Sequence, residues 1–348
     1  MTLRDHVRTA TPKLSPAARP LAARAADPAL PLPERLAAFD ALVARDVGDT
    51  GLHRARGLER ELGLSRLYLK YEGDNPTGTQ KDRIAFAQVR DALARGKAVV
   101  SLATCGNYGV AVALACQAAG LQCRIYIPAG YHTERLGEMT ALGAAVERLP
   151  GSYEEVVAAS SVLAKAHQHY DANPGGANAE LQLAAYAGVG REIAASLAQA
   201  PDWCAVPVSN GTLLAGTHRG LRDGGAGATR MLAGSSTRKN PIVQSWRRGL
   251  HECVDLDPTK IRETLVNEPL INWHAFDGDE ALAAVYDSGG SACDVSDKDL
   301  KAMAALVRKL EGYRVLPASS AGLVGLLRTH EAEALPEGYY VAVLTARD

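Results

Sequence analysis

The sequence predicts a two-lobed α/β protein with three αβα layers and mostly parallel sheets. Three observations predict it. Apolar strand-like runs alternate with helix-like periodicity along most of the chain, as expected of parallel strands joined by crossover helices and covered on both faces. At 348 residues the chain exceeds the size at which single cores stop growing, so two lobes are expected. No repeat of fixed period is visible, which sets solenoids aside.

Residues 1–45 read as an N-terminal arm, punctuated by Pro12, Pro16, Pro20, Pro28, Pro31 and Pro33, with one helix over 34–45. Such an arm either wraps a partner subunit or stays loose. Residues 50–55 read as a short extended piece and 58–64 as a helix stopped by Gly63. Residues 67–72 alternate as a strand does, and 84–89 begin a helix that closes at Arg95-Gly96. The run 98–103 is a buried strand, followed by the loop Thr104-Cys105-Gly106-Asn107-Tyr108-Gly109 and an Ala-rich helix ending at Gly120. The plan then repeats with strand 123–128, helix 133–142 stopped by Gly143, strand 145–149 and helix 153–167.

After a loop at 171–176 come an amphipathic helix (179–197), a strand (203–208) and the turn Ser209-Asn210-Gly211-Thr212-Leu213, which opens another helix. A Gly-rich link (222–230) precedes helices at 277–288 and 296–310, the second capped by Ser296 with Asp299. Residues 315–322 lead into a last helix, and 341–345 form a terminal strand.

Composition narrows the partners. Lys plus Arg number 38 against 39 Asp plus Glu, a net charge of −1 without long single-sign runs, so nothing points to nucleic acid or an anionic membrane. No apolar run is long enough to span a bilayer. A small molecule is the expected partner. The six cysteines (Cys105, Cys116, Cys123, Cys204, Cys253 and Cys293) are scattered, without Cys-x-x-Cys or zinc-type spacing, which suits reduced thiols in the cytoplasm. His167 and His169 diverge on a helix with no third ligand at helical spacing, so no metal site is expected, and they read as cations suited to a helix C-terminus.

One stretch organises the chemistry. Asn75-Pro76-Thr77-Gly78-Thr79-Gln80-Lys81-Asp82-Arg83 links a strand to a helix and places Lys81 near the helix's first turn. Unpaired N–H groups make that end partly positive, which favours the neutral amine able to condense with an aldehyde. The same residues also read as a plain turn, with Thr79 capping a helix and Lys81 in solvent. Two other loops precede helices and could bind anions through backbone N–H groups: Ser209–Leu213 for a phosphate, and Thr104, Cys105, Gly106 and Asn107 for a carboxylate. Neither carries a Walker or dinucleotide glycine fingerprint. Cys105 at a helix start could be an activated thiol, but no partner histidine is identifiable, and packing is its plainer role.

The lysine segment resembles the cofactor-lysine motif of fold-type II pyridoxal-phosphate (PLP) enzymes, specifically the threonine synthase branch, with Thr79-Gln80 in place of Ser-Phe. Val206-Pro207-Val208-Ser209-Asn210 resembles that branch's phosphate loop, with Ser209 and Thr212 where glycine is preferred. Thr104-Cys105-Gly106-Asn107 and Val343-Leu344-Thr345 match two further motifs, and the likeness runs from about residue 50 to 345. The resemblance implies that Lys81 holds PLP as a Schiff base and transfers protons. It implies that Asn107 meets the cofactor's phenolic oxygen while neighbouring amides of Thr104–Asn107 hold the substrate carboxylate. Ser209, Asn210, Gly211, Thr212 and Leu213 would hold the phosphate, and Thr345 would face the pyridine nitrogen.

The implied architecture is an arm (1–45), a large PLP-binding domain (46–83 and 171–348) and a small mobile domain (84–170), with PLP between the lobes of a homodimer's subunit. The implied reaction is elimination or replacement at the β or γ carbon of an activated amino acid. The family's substrate-phosphate arginine is missing from 178–186, where no arginine occurs before Arg191, and Leu316 replaces a glutamate. A β-replacing synthase or ammonia-lyase acting on another amino acid is therefore the alternative. A non-catalytic PLP-fold binding protein and a nicotinamide-dependent oxidoreductase are rivals from other classes, the latter lacking its glycine fingerprint.

Overall fold

The structure is a computed structural model that describes residues 14–104, 106–131, 133 and 135–348. In chain order, the described part of the arm forms helices α1 (Arg19–Ala26) and α2 (Leu32–Asp46), each with proline in its first turn. Strand β1 (Leu52–Arg54), helix α3 (Arg56–Leu62) and strand β2 (Leu67–Tyr71) follow, with Gly63 left-handed at the end of α3. Next come α4 (Lys81–Ala94), β3 (Val99–Ala103), α5 (Asn107–Ala119), β4 (Gln122–Pro128), α6 (Leu136–Ala141), β5 (Ala145–Leu149), α7 (Tyr153–Ala166) and the two-residue strand β6 (Tyr170–Asp171). The remainder is α8 (Ala179–Ser196), β7 (Trp203–Pro207), α9 (Thr212–Asp223), β8 (Arg230–Ser236), α10 (Pro241–Arg247), α11 (Gly278–Asp287), β9 (Ser291–Val295), α12 (Asp297–Glu311), α13 (Ala321–Glu333) and β10 (Tyr340–Leu344).

The chain divides into two compact units, one of residues 1–48 and 75–178, the other of 49–74 and 179–348. The first holds a four-stranded sheet in the order β5-β4-β3-β6, parallel throughout. The second holds a six-stranded sheet in the order β1-β2-β10-β7-β8-β9, parallel except for β1 against β2. The strand–helix alternation thus gives the mixed α/β fold with mostly parallel sheets that the sequence predicts.

In the first unit α5 is apolar on every side and almost wholly buried, so it needs cover all round. Helices α1, α2 and α4 supply part of it. Phe39 of α2 stacks on Phe86 of α4 at 5.8 Å, and the Arg35 guanidinium donates to the Ala119 carbonyl at 2.9 Å. The described part of the expected arm is therefore two packed helices of this unit, where the sequence suggested one helix. Residues 75–83, expected with the large domain, also belong to this unit: the Thr77 N–H and hydroxyl both donate to Asp82 Oδ2, at 2.8 and 2.9 Å, tying the loop to α4.

The core of the second unit lies between the sheet and α12 and α13. Leu67, Leu69, Ala205, Leu232, Ala342 and Leu344 from the strands meet Leu300, Met303, Val307, Leu323 and Leu326 from those helices.

The histidine pair departs from expectation. Helix α7 ends at Ala166, Gln168 turns back with φ +57°, and the rings of His167 and His169 stack at 5.5 Å. Burial, then His167, Arg124 and Lys97, lower the pKa of His169, so the fold favours its neutral form instead of a cation on a helix end. Among the described residues no helix is long and apolar enough to cross a membrane, and no group of His, Cys, Asp or Glu is arranged to hold a metal ion.

Candidate active site

Each candidate segment follows the carboxyl end of a parallel strand, where open α/β sheets bind their ligands. The lysine segment comes after β2, the Asn107 loop after β3, the 209–213 loop after β7, and Thr345 directly after β10. Strands β7 and β10 are neighbours in their sheet.

In the first unit Lys81 is the first residue of α4 and is half-buried. Its backbone N–H donates to the Thr79 hydroxyl at 2.9 Å, so Thr79 does serve the helix start, as the plain turn reading expects. The side chain is directed into the protein nonetheless: Nζ lies 5.5 Å from the centroid of the Tyr108 ring. The ring face attracts an ammonium and the helix start repels one, so the two neighbours act in opposite senses. Tyr108 is held by its hydroxyl, which donates to the Ala172 carbonyl at 2.8 Å and accepts from Gln88 Nε2.

Thr104 is buried and its hydroxyl accepts from the Gly106 N–H at 3.3 Å. Gly106 is the residue before α5 and Asn107 its first residue, so the helix opens without a side-chain cap. The Asn107 Oδ1 accepts from Arg135 Nη1 at 2.5 Å, and Arg135 Nη2 also donates to the Thr77 carbonyl at 3.4 Å. The structure therefore joins the lysine segment and the Asn107 loop through Arg135 and Tyr108. Cys105 lies outside the described residues.

In the second unit the 209–213 loop has the form of an anion cup. Gly211, the residue before α9, is left-handed with φ +100°, and no side chain caps the helix. The first N–H bonded within the helix is that of Ala215, to the Gly211 carbonyl at 3.1 Å. This leaves the start of α9 as a place where backbone N–H groups can meet a phosphate. A Cβ at Gly211 would fall 2.5 Å from the Asp277 carbonyl oxygen.

The cup has a built support. The Thr212 hydroxyl donates to buried Asp277, the Asp277 N–H donates to the Asn210 carbonyl at 3.0 Å, and Asn272 Nδ2 donates to Asn210 Oδ1 at 2.7 Å. Asn240 Nδ2 holds the Ser209 carbonyl at 2.9 Å. Thr345 shares a hydrogen bond of 2.9 Å with Ser319, whose hydroxyl also accepts from the Ala346 N–H at 3.0 Å.

Sequence reasoning passed over Arg135, Asp277, Asn272 and Ser319. Arg135 had one available signal, its place in the loop after a parallel strand, β4. The others reach the site only through contacts between distant residues.

Burial raises the thiols of Cys116, Cys204, Cys253 and Cys293, Cys204 to about 12, which suits packing instead of nucleophilic attack. Taken separately, the half-buried lysine opening α4 in the first unit offers an amine for an aldehyde, and the uncapped, glycine-turned start of α9 in the second offers N–H groups for a phosphate, the two groups PLP carries. The residues present fit the group.

Comparison with known proteins decides the family: the family described as pyridoxal-phosphate dependent enzyme matches residues 43–346. The chain belongs to this PLP-dependent enzyme family. PLP is accordingly its cofactor. The chain is 30% identical to a threonine synthase of Methanocaldococcus jannaschii over 294 residues, covering 82% of this chain and 70% of that one. It is 28% identical to a threonine synthase of Synechocystis over 310 residues, covering 86% and 76%. Among solved structures, a threonine deaminase from Solanum lycopersicum superposes with a TM-score of 0.75 at 18% identity, covering 91% of this chain and 84% of that one. A maize serine racemase gives 0.75 at 20% identity, covering 90% and 93%. At those identities the two structures speak to the fold alone, which is that of fold-type II PLP enzymes.

Proposed function

We propose that this PLP-dependent enzyme catalyses elimination or replacement at the β or γ carbon of an O-activated amino acid, in the manner of a threonine synthase. O-phosphohomoserine is the first candidate substrate. The observation that carries the reading is that four motif-bearing segments, those of Lys81, Asn107, Gly211 and Thr345, each follow a parallel strand in family order. The threonine synthase names of relatives at 28% and 30% identity support it.

Bound PLP supplies an electron sink for the pair left when the α carbon of an amino acid loses its proton. Lys81 Nζ would hold the cofactor's aldehyde and would serve as the base for that α proton. Asn107 Nδ2 would be the donor for the phenolic oxygen, and the uncapped start of α5 would receive the substrate carboxylate. Backbone N–H groups at the start of α9 would hold the phosphate. The Thr345 hydroxyl would face the ring nitrogen without securing the permanent proton that a carboxylate would, which suits elimination and replacement over transamination.

A specific observation favours a second reading, a relative acting on a different activated amino acid. No arginine occupies 178–186, and Arg191, the next along, faces Asp223 at 3.3 Å on the exposed side of α8. Asn178 Nδ2 is engaged by the Asp171 carbonyl at 2.6 Å. Incubation of the PLP-loaded protein with O-phosphohomoserine separates the two. Threonine and phosphate released together support the first reading. Turnover of O-acetylserine, serine or threonine in its place supports the second.

Every described cysteine is a free thiol, in keeping with a proposed cytoplasmic location. The proposed homodimer is checked by light scattering.

A further inference from the structure

We infer that Arg135 is a positioning residue that fixes the Asn107 side-chain amide with its donor group turned toward the cofactor. The inference rests on the proposed role of Asn107. A guanidinium carries only donors, so the amide atom that meets Arg135 Nη1 at 2.5 Å must be the oxygen. The two rotated forms of an asparagine amide are otherwise hard to tell apart, and here the neighbour settles which is present. With Oδ1 engaged, Nδ2 is the group left to donate, and no described residue accepts from it.

Arg135 is itself held rigidly. Its Nε and Nη2 donate to the two carboxylate oxygens of Glu138, at 2.8 and 2.9 Å, a forked pair that fixes the plane of the guanidinium. Nη2 also reaches the Thr77 carbonyl at 3.4 Å, in the segment that leads to Lys81. The Arg135 side chain is 23% exposed and that of Glu138 34%, so the pair is partly shielded from water.

Residues 135 and 138 reach this place because α6 approaches α5 closely. The contact is tight at Gly109, where a Cβ would lie 2.7 Å from Thr104 Cγ2 and 3.0 Å from both Sδ and Cε of Met139. Arg135, the residue before α6, sets the angle of the amide on α5 and binds it to the lysine loop. Lysine in its place could supply a charge but not the planar fork.

The test uses the holoenzyme and PLP as the probe. Wild type, Arg135→Gln, Glu138→Gln, Asn107→Ala and the Arg135→Gln/Asn107→Ala double variant are loaded with PLP, checked for folding by urea unfolding, and titrated with pH in the visible absorption band. Losing the amide donor changes the proton balance at the phenolic oxygen, so Asn107→Ala moves the midpoint. Arg135→Gln and Glu138→Gln should move it in the same direction by about half a pH unit. The double variant should move no further than Asn107→Ala alone, because a residue acting through another is not additive with it. An unmoved midpoint in Arg135→Gln, or shifts that add in the double variant, overturns the inference. Borohydride labelling of wild-type Lys81 is read in parallel: a normal label with an unmoved midpoint removes the role of Arg135 alone, whereas a missing label removes the site reading and this role with it.

Discussion

The hydroxyl of Thr212 donates to the buried carboxylate of Asp277, 65 residues away, at the mouth of the glycine-turned loop after β7. That hydroxyl proton is committed to the carboxylate, so Thr212 offers an anion its backbone N–H. A threonine side chain in place of glycine therefore need not spoil a phosphate cup, provided a buried acceptor draws it aside.

Gly211 is the residue on which the cup depends. Alanine there would meet the Asp277 carbonyl oxygen at 2.5 Å and would have to adopt φ +100°. The backbone strain alone costs about 1–2 kcal/mol. Gly211→Ala should weaken PLP binding about tenfold or more while lowering the urea midpoint modestly. Fluorescence titration with PLP measures it, and unchanged affinity would remove the loop from the cofactor site.

A largely buried ion pair ties the end of β2 to α8. Lys70 is 1% exposed and Nζ donates to Glu192 Oε2 and to the Thr50 carbonyl, each at 2.6 Å. Removing Glu192 strands a buried cation, whereas removing Lys70 leaves a partly exposed carboxylate that still accepts from the Asp49 N–H at 3.0 Å. Glu192→Met should therefore cost more than Lys70→Met, by about 2 kcal/mol after allowance for the exposure of Glu192. Urea unfolding of the two variants decides the order.

His218 on α9 gives the fold a pH dependence. Burial, then Arg222, lowers its pKa below the ordinary 6.5, with Asp287 opposing. A histidine that resists protonation in the fold contributes stability that is present above its unfolded pKa and is lost as pH falls through 6.5 toward the lower folded value. Between about pH 7.5 and about pH 5 the wild type should lose more stability than His218→Gln, which cannot charge. Parallel slopes in thermal unfolding would show that His218 is not the group responsible.

Much of this fold is legible in the sequence because local signals agree with it. Gly120 ends α5 in the left-handed conformation, Ser296 caps α12 by accepting from the Asp299 N–H, and Lys81 opens α4. Strands β8 and β9 were not legible. Arg230–Ser236 and Ser291–Val295 are rich in small and polar residues and become strands through pairing with β7 and with each other. The packing of α1 and α2 is likewise a tertiary matter, since nothing in a Pro- and Ala-rich segment announces that α5 needs cover. The same distinction holds at the site. The motif residues stand in continuous stretches and could be read, whereas Arg135 and Asp277 act across 28 and 65 residues and could not.

The central claim is that the amine of Lys81 holds PLP, and reductive trapping tests it most directly. The protein is loaded with PLP, treated with borohydride, digested and read by mass spectrometry. The account predicts a pyridoxyl-phosphate adduct on the peptide containing Lys81 and its absence in Lys81→Ala. A holoenzyme that carries the adduct on another lysine, or takes up no PLP at all, would contradict it.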